Sequence, residues 1–246
     1  MDLKLKDKVA LVTGAGSQIG YGRGIAKTLA EEGCKLVISD IKVEGLTKTA
    51  EELTALGASV LAIKADNAVR AEVDEMVKNA IDHFGQIDIL VNNAGASGSF
   101  KFFKDMSIEE WNFDINVNLY GQMNVAQAVL PYMIARKYGR IINFAGGMGI
   151  PGQSIYGAAK AGVVTFSQAL AKEVAPLGVI VNILGPGLGI TGLVEHTASK
   201  EFLEGEIQRS SLKRLCTPED VGPAVAFLAS DRCSYYNGQL FSLSAF

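Results

Sequence analysis

Short apolar runs alternate with amphipathic stretches along the whole chain. The runs at Val9–Val12, Val37–Asp40, Ser59–Ala65, Ile87–Val91, Arg140–Phe144, Val179–Leu184 and Gln239–Leu243 predict strands. Helical patterns fill the intervals: Ile25–Glu32, Glu44–Leu56, Arg70–Phe84, a long region from Trp111 through Val117 to Met133, Ser154–Leu177, and a helix opened by Thr217-Pro218. Gly33, Gly57 and Gly85 close the first three helices. Ser97–Met106 reads as looser chain, and Leu188–Lys213 as a polar, irregular segment suited to a mobile lid. Strictly alternating strand and helix signals predict one α/β domain over residues 1–246, a doubly wound parallel sheet with helices on both faces.

The first strand–helix unit carries the first chemical signal. Val9-Ala10-Leu11-Val12 runs into Thr13-Gly14, and glycines follow at 16, 20, 22 and 24 before the first helix. Such a turn brings backbone N–H groups and a helix N-terminus to a pyrophosphate, as in Rossmann-type units. The acidic partner is in register: Asp40 ends the second strand, 20 residues beyond Gly20, where a carboxylate accepts from an adenosine ribose.

Composition narrows the reading. The chain has 246 residues, 48% hydrophobic and 20% charged, with net charge −3 and no basic stripe of the kind a nucleic-acid partner requires. No apolar run approaches the roughly 20 residues of a membrane span, so no membrane partner is expected. The start, MDLKLKDK, lacks a signal-peptide core. Cys34, Cys216 and Cys233 are scattered and read as reduced thiols of a cytoplasmic protein. His83 and His196 have no ligand-like neighbours, so no metal is expected.

Five features together carry a family resemblance: the Thr13-Gly14 turn, Asn92-Asn93-Ala94-Gly95 after the fourth strand, Asn118 in INVNLYG, Tyr156-x-x-x-Lys160, and Pro186-Gly187 followed by Thr191. The chain resembles the short-chain dehydrogenases/reductases over nearly its whole length. The resemblance implies NAD or NADP bound at the carboxyl ends of the strands, with Tyr156 as general acid/base toward a carbonyl or alcohol oxygen. Lys160, one turn on, would lower the phenol pKa from about 10 and bond the nicotinamide ribose. Asn118 would anchor a proton-relay water. Gly14, Ser17, Ile19, Gly20 and Gly22 would line the phosphates, Asp66 and Asn67 the adenine, and Asn92, Ala94 and Gly95 the sheet edge under the ribose. Pro186 and Thr191 would meet the nicotinamide. Asp40 points to NAD, because a carboxylate repels a 2′-phosphate; Arg23 and Lys42 nearby keep NADP open.

Two of the chain's departures from the family bear on the site; a third is the C-terminus, QLFSLSAF, without the usual Gly-Gly. The family sets a serine after the fifth strand, where this chain has Gly146, and no Ser or Thr occurs from Glu109 to Gln153. Losing one preorganised donor at a reacting oxygen costs about 10²–10³ in rate. A water or a backbone N–H of the Ala145–Gly149 turn is the other way to fill that contact. The second departure is Gln18, standing where the family has glycine in a loop that is longer than usual, similar to that of enoyl-acyl-carrier-protein reductases. Three functions remain open. The first is an NAD-dependent alcohol/ketone oxidoreductase for a small-molecule substrate, impaired at Gly146. The second is a non-catalytic subunit in a homo- or hetero-tetramer with a related chain. Heteromeric hydroxyacyl-CoA dehydrogenases, such as the 2-[hydroxy(phenyl)methyl]succinyl-CoA dehydrogenase type, pair an active with a degenerate chain in this way. The third is a nucleotide-binding module.

Overall fold

A computed structural model describes residues 1–189, 191 and 199–245. Seven strands form one parallel sheet: β1 (Val9–Thr13), β2 (Lys35–Asp40), β3 (Val60–Lys64), β4 (Ile89–Asn92), β5 (Gly139–Phe144), β6 (Val179–Gly185) and β7 (Leu240–Ser242). Their order is β3-β2-β1-β4-β5-β6-β7. β1 therefore pairs with β2 on one side (Leu11 opposite Val37) and with β4 on the other (Leu11 opposite Leu90). The winding reverses at that point, and the connections leave in opposite directions, which opens a crevice at the carboxyl ends.

Alternation along the strands feeds two cores. Ala10 and Val12 of β1 face α1 (Tyr21–Glu31), through Ile25 and Leu29, and α8 (Pro218–Ala229), through Val221 and Val225. Val9 and Leu11 face the other layer. That layer comprises α3 (Arg70–Phe84), α5 (Gly121–Ala135) and α6 (Ser154–Val174), contributing Met76, Val129 and Leu170 among others. α2 (Val43–Ala55) packs beside α1 through Leu46 and Leu53.

The predicted strands all form, with ends moved by a residue or two, and the structure adjusts several helices. α1 begins at Tyr21, four residues earlier than its apolar pattern, because glycines carry its first turn without a hydrophobic signal. The long region after Met106 is not one continuous helix. α4 (Ile108–Ile115), capped by the Ser107–Glu110 capping box, passes through a π-turn at Asn116–Tyr120 into α5. The last turn of the Ser154–Leu177 prediction tightens to a 3₁₀ turn at Ala175–Leu177. The stretch predicted as an irregular lid contains a helix, α7 (Lys200–Arg209), N-capped by Ser199; residues 190 and 192–198 of that stretch lie outside the described residues.

Gly45 sits inside α2 where helix propensity alone favours alanine by about 1 kcal/mol. A Cβ there would stand 1.9 Å from the Gly16 carbonyl oxygen. Gly45→Ala is therefore expected to destabilise the fold by roughly 1–3 kcal/mol, against the propensity trend. Urea unfolding of the two proteins checks the sign.

Candidate active site

The turn after β1 and the turn after β4 are knitted together. Asn93 Nδ2 donates to the carbonyls of Thr13 (2.9 Å) and Gly14 (3.2 Å), and the Ala94 N–H donates to Thr13 Oγ1 (3.1 Å). Gly14 has φ +72°, and a Cβ on it would fall 2.8 Å from Ala94 Cα; one on Gly22 would fall 2.1 Å from the Gly14 carbonyl oxygen. Only glycine allows this approach. α1 then starts behind Gly20 with no side-chain cap on its first-turn N–H groups, the arrangement that receives an anion. Ser17 and Ile19 lie at the accessible tip of the same turn.

Asp40 Oδ2 accepts from the Gly16 N–H (2.8 Å) and Oδ1 from the Lys42 N–H (2.9 Å). That fixes the carboxylate and leaves acceptor capacity for hydroxyls. Gln18, the apparent misfit of the glycine turn, reaches across to the Gly45 carbonyl (2.9 Å) and Thr49 Oγ1 (3.2 Å) and ties the longer loop to α2. Arg23 is committed to Glu52 through a two-pronged pair (2.7 and 2.9 Å). Just beyond β3, Asp66 accepts from the Ala68 N–H, and Asn67 holds a buried Oδ1 with no hydrogen-bond partner among the described residues.

At the other end of the crevice, α6 presents Tyr156 and Lys160. Lys160 is 3% exposed. Its Nζ donates to the Phe144 carbonyl (3.2 Å) and lies 5.6 Å from the centre of the Tyr156 ring. The π-turn aims Asn118 at the loop after β4: Nδ2 donates to the Ala96 carbonyl (2.6 Å) and Oδ1 accepts from the Ala96 N–H (3.2 Å). A Cβ on Gly95 would lie 2.8 Å from Asn118 Oδ1 and 3.2 Å from Lys160 Nζ. Asn118, Lys160 and Gly95 thus converge on one spot. Beneath it, Asn92 Nδ2 donates to Asn143 Oδ1 (2.9 Å), Asn143 Nδ2 to Ser167 Oγ (2.8 Å), and Gln122 Nε2 to the Phe144 carbonyl (2.9 Å). Buried amides bonded in this way hold a site in one arrangement, with Asn92 Oδ1 left without a hydrogen-bond partner among the described residues.

The expected lowering of the Tyr156 pKa is reversed in this structure. Burial pushes the phenol up to about 12, and the negative charge of Asp114 adds to the rise. Burial also brings the Lys160 ammonium down to about 8. Desolvation disfavours both charged forms, and the ammonium is turned toward the Phe144 carbonyl.

Gly146 and Gly147 form the wall where the family sets its serine. A Cβ on Gly146 would face Pro186, 3.2 Å from its carbonyl oxygen; one on Gly147, at φ +76°, would meet Tyr156 Cε1 at 2.9 Å. Tyr156 therefore packs against bare backbone. Thr191 is half-buried beyond Pro186. Two residues of this region carry no motif. Tyr21, at the start of α1, donates from its hydroxyl to the Gly187 carbonyl (2.8 Å) and pins the segment after β6. Asp114 is buried, and its Oδ1 accepts from the Gly98 N–H (3.0 Å). Its signal is present in the sequence as a polar stripe, Asp114–Asn118–Gln122, at helical spacing on a face that should be apolar.

Residues 14–244 match the family described as enoyl-(acyl carrier protein) reductase. Subunit BbsD of (2S)-[(R)-hydroxy(phenyl)methyl]succinyl-CoA dehydrogenase from Thauera aromatica is 40% identical over 240 residues, covering 96% of this chain and 94% of the relative. Among solved structures, levodione reductase superposes with a TM-score of 0.93 at 32% identity, covering 98% of this chain and 97% of that one. NAD+-bound xylitol dehydrogenase gives 0.91 at 28% identity, covering 99% and 100%.

Lys160 generates a prediction with a definite sign. Its folded pKa lies below the ordinary 10.5, so the unfolded chain binds the proton more tightly and stability rises as pH increases from about 8 to about 10.5. Lys160→Met removes that burden, and Gln122 still serves the Phe144 carbonyl. The variant is expected to be more stable at neutral pH, by up to about 3 kcal/mol. Thermal melts from pH 7 to pH 10 check it. A seven-stranded parallel sheet with its polar side chains gathered at the switch point, and a match along nearly the full length, place the chain in the short-chain dehydrogenase/reductase family of oxidoreductases, whose members use a nicotinamide dinucleotide.

Proposed function

We propose that this chain is an NAD-dependent oxidoreductase subunit interconverting a secondary alcohol and a ketone at Tyr156. The observation that carries the reading is the convergence of Asn118, Lys160 and Gly95 beside Tyr156, at the carboxyl end of the sheet. A purely structural subunit has no need of these groups in one place.

The fixed backbone fits a dinucleotide. Gly14, Ser17, Ile19, Gly20 and Gly22 line the phosphate end, Asp66 and Asn67 the adenine, and Asn92, Ala94 and Gly95 the floor, with Pro186 and Thr191 at the nicotinamide. Asp40 favours NAD, and the pairing of Arg23 with Glu52 withdraws one cation that a 2′-phosphate would use. When bound, the nicotinamide supplies or accepts the hydride. Tyr156 holds the proton that goes to the carbonyl oxygen in reduction, and a neutral phenol is the form its burial favours. Lys160 and Asn118 sit behind it to bind ribose hydroxyls and to anchor a relay water. Phe100, Phe113 and Met148 are exposed around the loop after β4 and the Gly147 turn, and Phe202 of α7 lies 6.2 Å from the Phe100 ring. This rim suits a substrate with an apolar body, including a hydroxyacyl thioester. A homo- or hetero-tetramer with a related chain is the assembly we assign, and the cytoplasm the compartment; no described helix is long and apolar enough to cross a membrane.

The bare Gly146–Gly147 wall supports a second reading, a subunit that supports an active paralogue without turning over itself. Tyr156→Phe separates the two. In the first reading it lowers ketone reduction by about 10² or more and leaves NADH binding unchanged. Activity of the isolated chain and of any co-purifying complex that is untouched by Tyr156→Phe would contradict it.

A further inference from the structure

Tyr21 opens α1, the helix whose start carries no side-chain cap, and its own side chain serves another part of the chain. Its hydroxyl donates to the Gly187 carbonyl (2.8 Å), 166 residues away. The seat around that bond is tight. A Cβ on Gly189 would strike both the Tyr21 hydroxyl oxygen and the Cys216 carbonyl oxygen. One on Gly187 would fall 3.0 Å from Cys216 Cβ and 2.7 Å from the Leu243 carbonyl oxygen. The Cys216 N–H donates to the Leu188 carbonyl (2.9 Å). Tyr21, Cys216 and Leu243 in turn pack against the core shared by α1 and α8. Residues 187–189 therefore run as bare backbone through a slot between the first turn of α1 and the chain entering α8. The slot leads to the phenol. The Pro186 carbonyl oxygen lies 3.2 Å from the place a Cβ on Gly146 would take, and a Cβ on the next residue, Gly147, would meet Tyr156 Cε1 at 2.9 Å. Tyr21, residues 186–189, the Gly146–Gly147 wall and the Tyr156 ring thus form one chain of contacts. A phenylalanine ring would fill the Tyr21 position equally well; what the hydroxyl adds is the bond to Gly187. Burial holds the Tyr21 phenol far above its ordinary value, with Cys216 adding to the rise, so the hydroxyl is a donor at every working pH.

We propose that Tyr21 is a positioning residue for the nicotinamide end of the dinucleotide: by holding Gly187 it fixes residues 186–189 as the wall that end rests on, and it ties that wall to the phosphate turn. The inference rests on the NAD-dependent reading above, which sets Gly20 and Gly22, on either side of Tyr21, at the phosphates and Pro186 at the nicotinamide. The Tyr21 bond then links the two ends of the crevice directly. Without the hydroxyl, the start of α1 keeps its glycines and its uncapped N–H groups, so the phosphate end is intact. Residues 186–189 lose their tether to α1, and holding the nicotinamide then carries the cost of ordering that segment. ADP-ribose has the adenosine, the pyrophosphate and the second ribose but no nicotinamide, so it uses the phosphate end alone. NADH uses both ends.

The test compares calorimetric affinities for NADH and for ADP-ribose in the parent chain and in Tyr21→Phe, with melting temperature and amide hydrogen exchange at residues 187–189 followed in both. We expect Tyr21→Phe to melt within a few degrees of the parent. It should bind NADH about five- to tenfold more weakly and ADP-ribose within about twofold of the parent. Exchange at residues 187–189 should be faster in free Tyr21→Phe than in the free parent, because the segment has lost its tether. An equal loss of affinity for both ligands overturns the inference, because Tyr21 then serves the phosphate turn or the fold as a whole. Parental NADH affinity in Tyr21→Phe overturns it as well. A parent chain that binds neither ligand overturns the NAD-dependent reading and this inference with it. Where the parent binds both, that reading stands whichever way Tyr21→Phe falls.

Discussion

The close approach of two backbone turns, one after β1 and one after β4, governs the rest of this molecule. A parallel sheet whose winding reverses between neighbouring strands cannot fill the gap above that seam with a helix. The chain must cross it with bare backbone, and here it does so with Gly14 against Ala94, fastened by Asn93 and Thr13. Once the seam is fixed, the start of α1, the carboxylate of Asp40 and the Gly95 surface all face the same crevice. Everything polar that the fold gathers at this edge is gathered because the seam is closed there.

The reacting end depends on a second layer of bonds below it. Phe144, the last residue of β5, is held from one side by Gln122 and from the other by Lys160. Asn92, Asn143 and Ser167 link β4, β5 and α6 beneath that. These are buried amides and a hydroxyl bonded to one another, which specifies one geometry, although Asn92 Oδ1 has no hydrogen-bond partner among the described residues. The same burial that gives this precision raises the phenol and lowers the ammonium. In the proposed reaction this favours proton donation by a neutral phenol over a standing phenolate.

Much of this is legible in the residues. The strands are short, apolar and bounded by glycine, so their periodicity locates all seven. The Tyr156–Lys160 spacing puts both on one helix face, and Asp40 ends β2 against the glycine turn, accepting from the Gly16 N–H. Other features depend on contacts distant in sequence. The start of α1 is glycine-rich and has no hydrophobic pattern until Ile25. The π-turn at Asn116–Tyr120 comes from the polar anchoring of Asn118 to Ala96. Gly45 looks like a weak helix position until α2 is placed against Gly16. A lowered Tyr156 pKa follows from the charge of Lys160 alone; burial, which a sequence does not display, decides the direction. Asp114 is visible as a charge in an apolar register, but its bond to the Gly98 N–H, across 16 residues, is not.

In the function proposed, the seam and its glycine turn hold a dinucleotide in this chain itself, despite Gln18 and the longer loop. Titrating the purified chain alone into NADH and following the cofactor's fluorescence tests this most directly. Saturable binding is expected well below millimolar concentration, tighter than for NADPH. A flat titration up to millimolar NADH would show that the turn does not hold a dinucleotide.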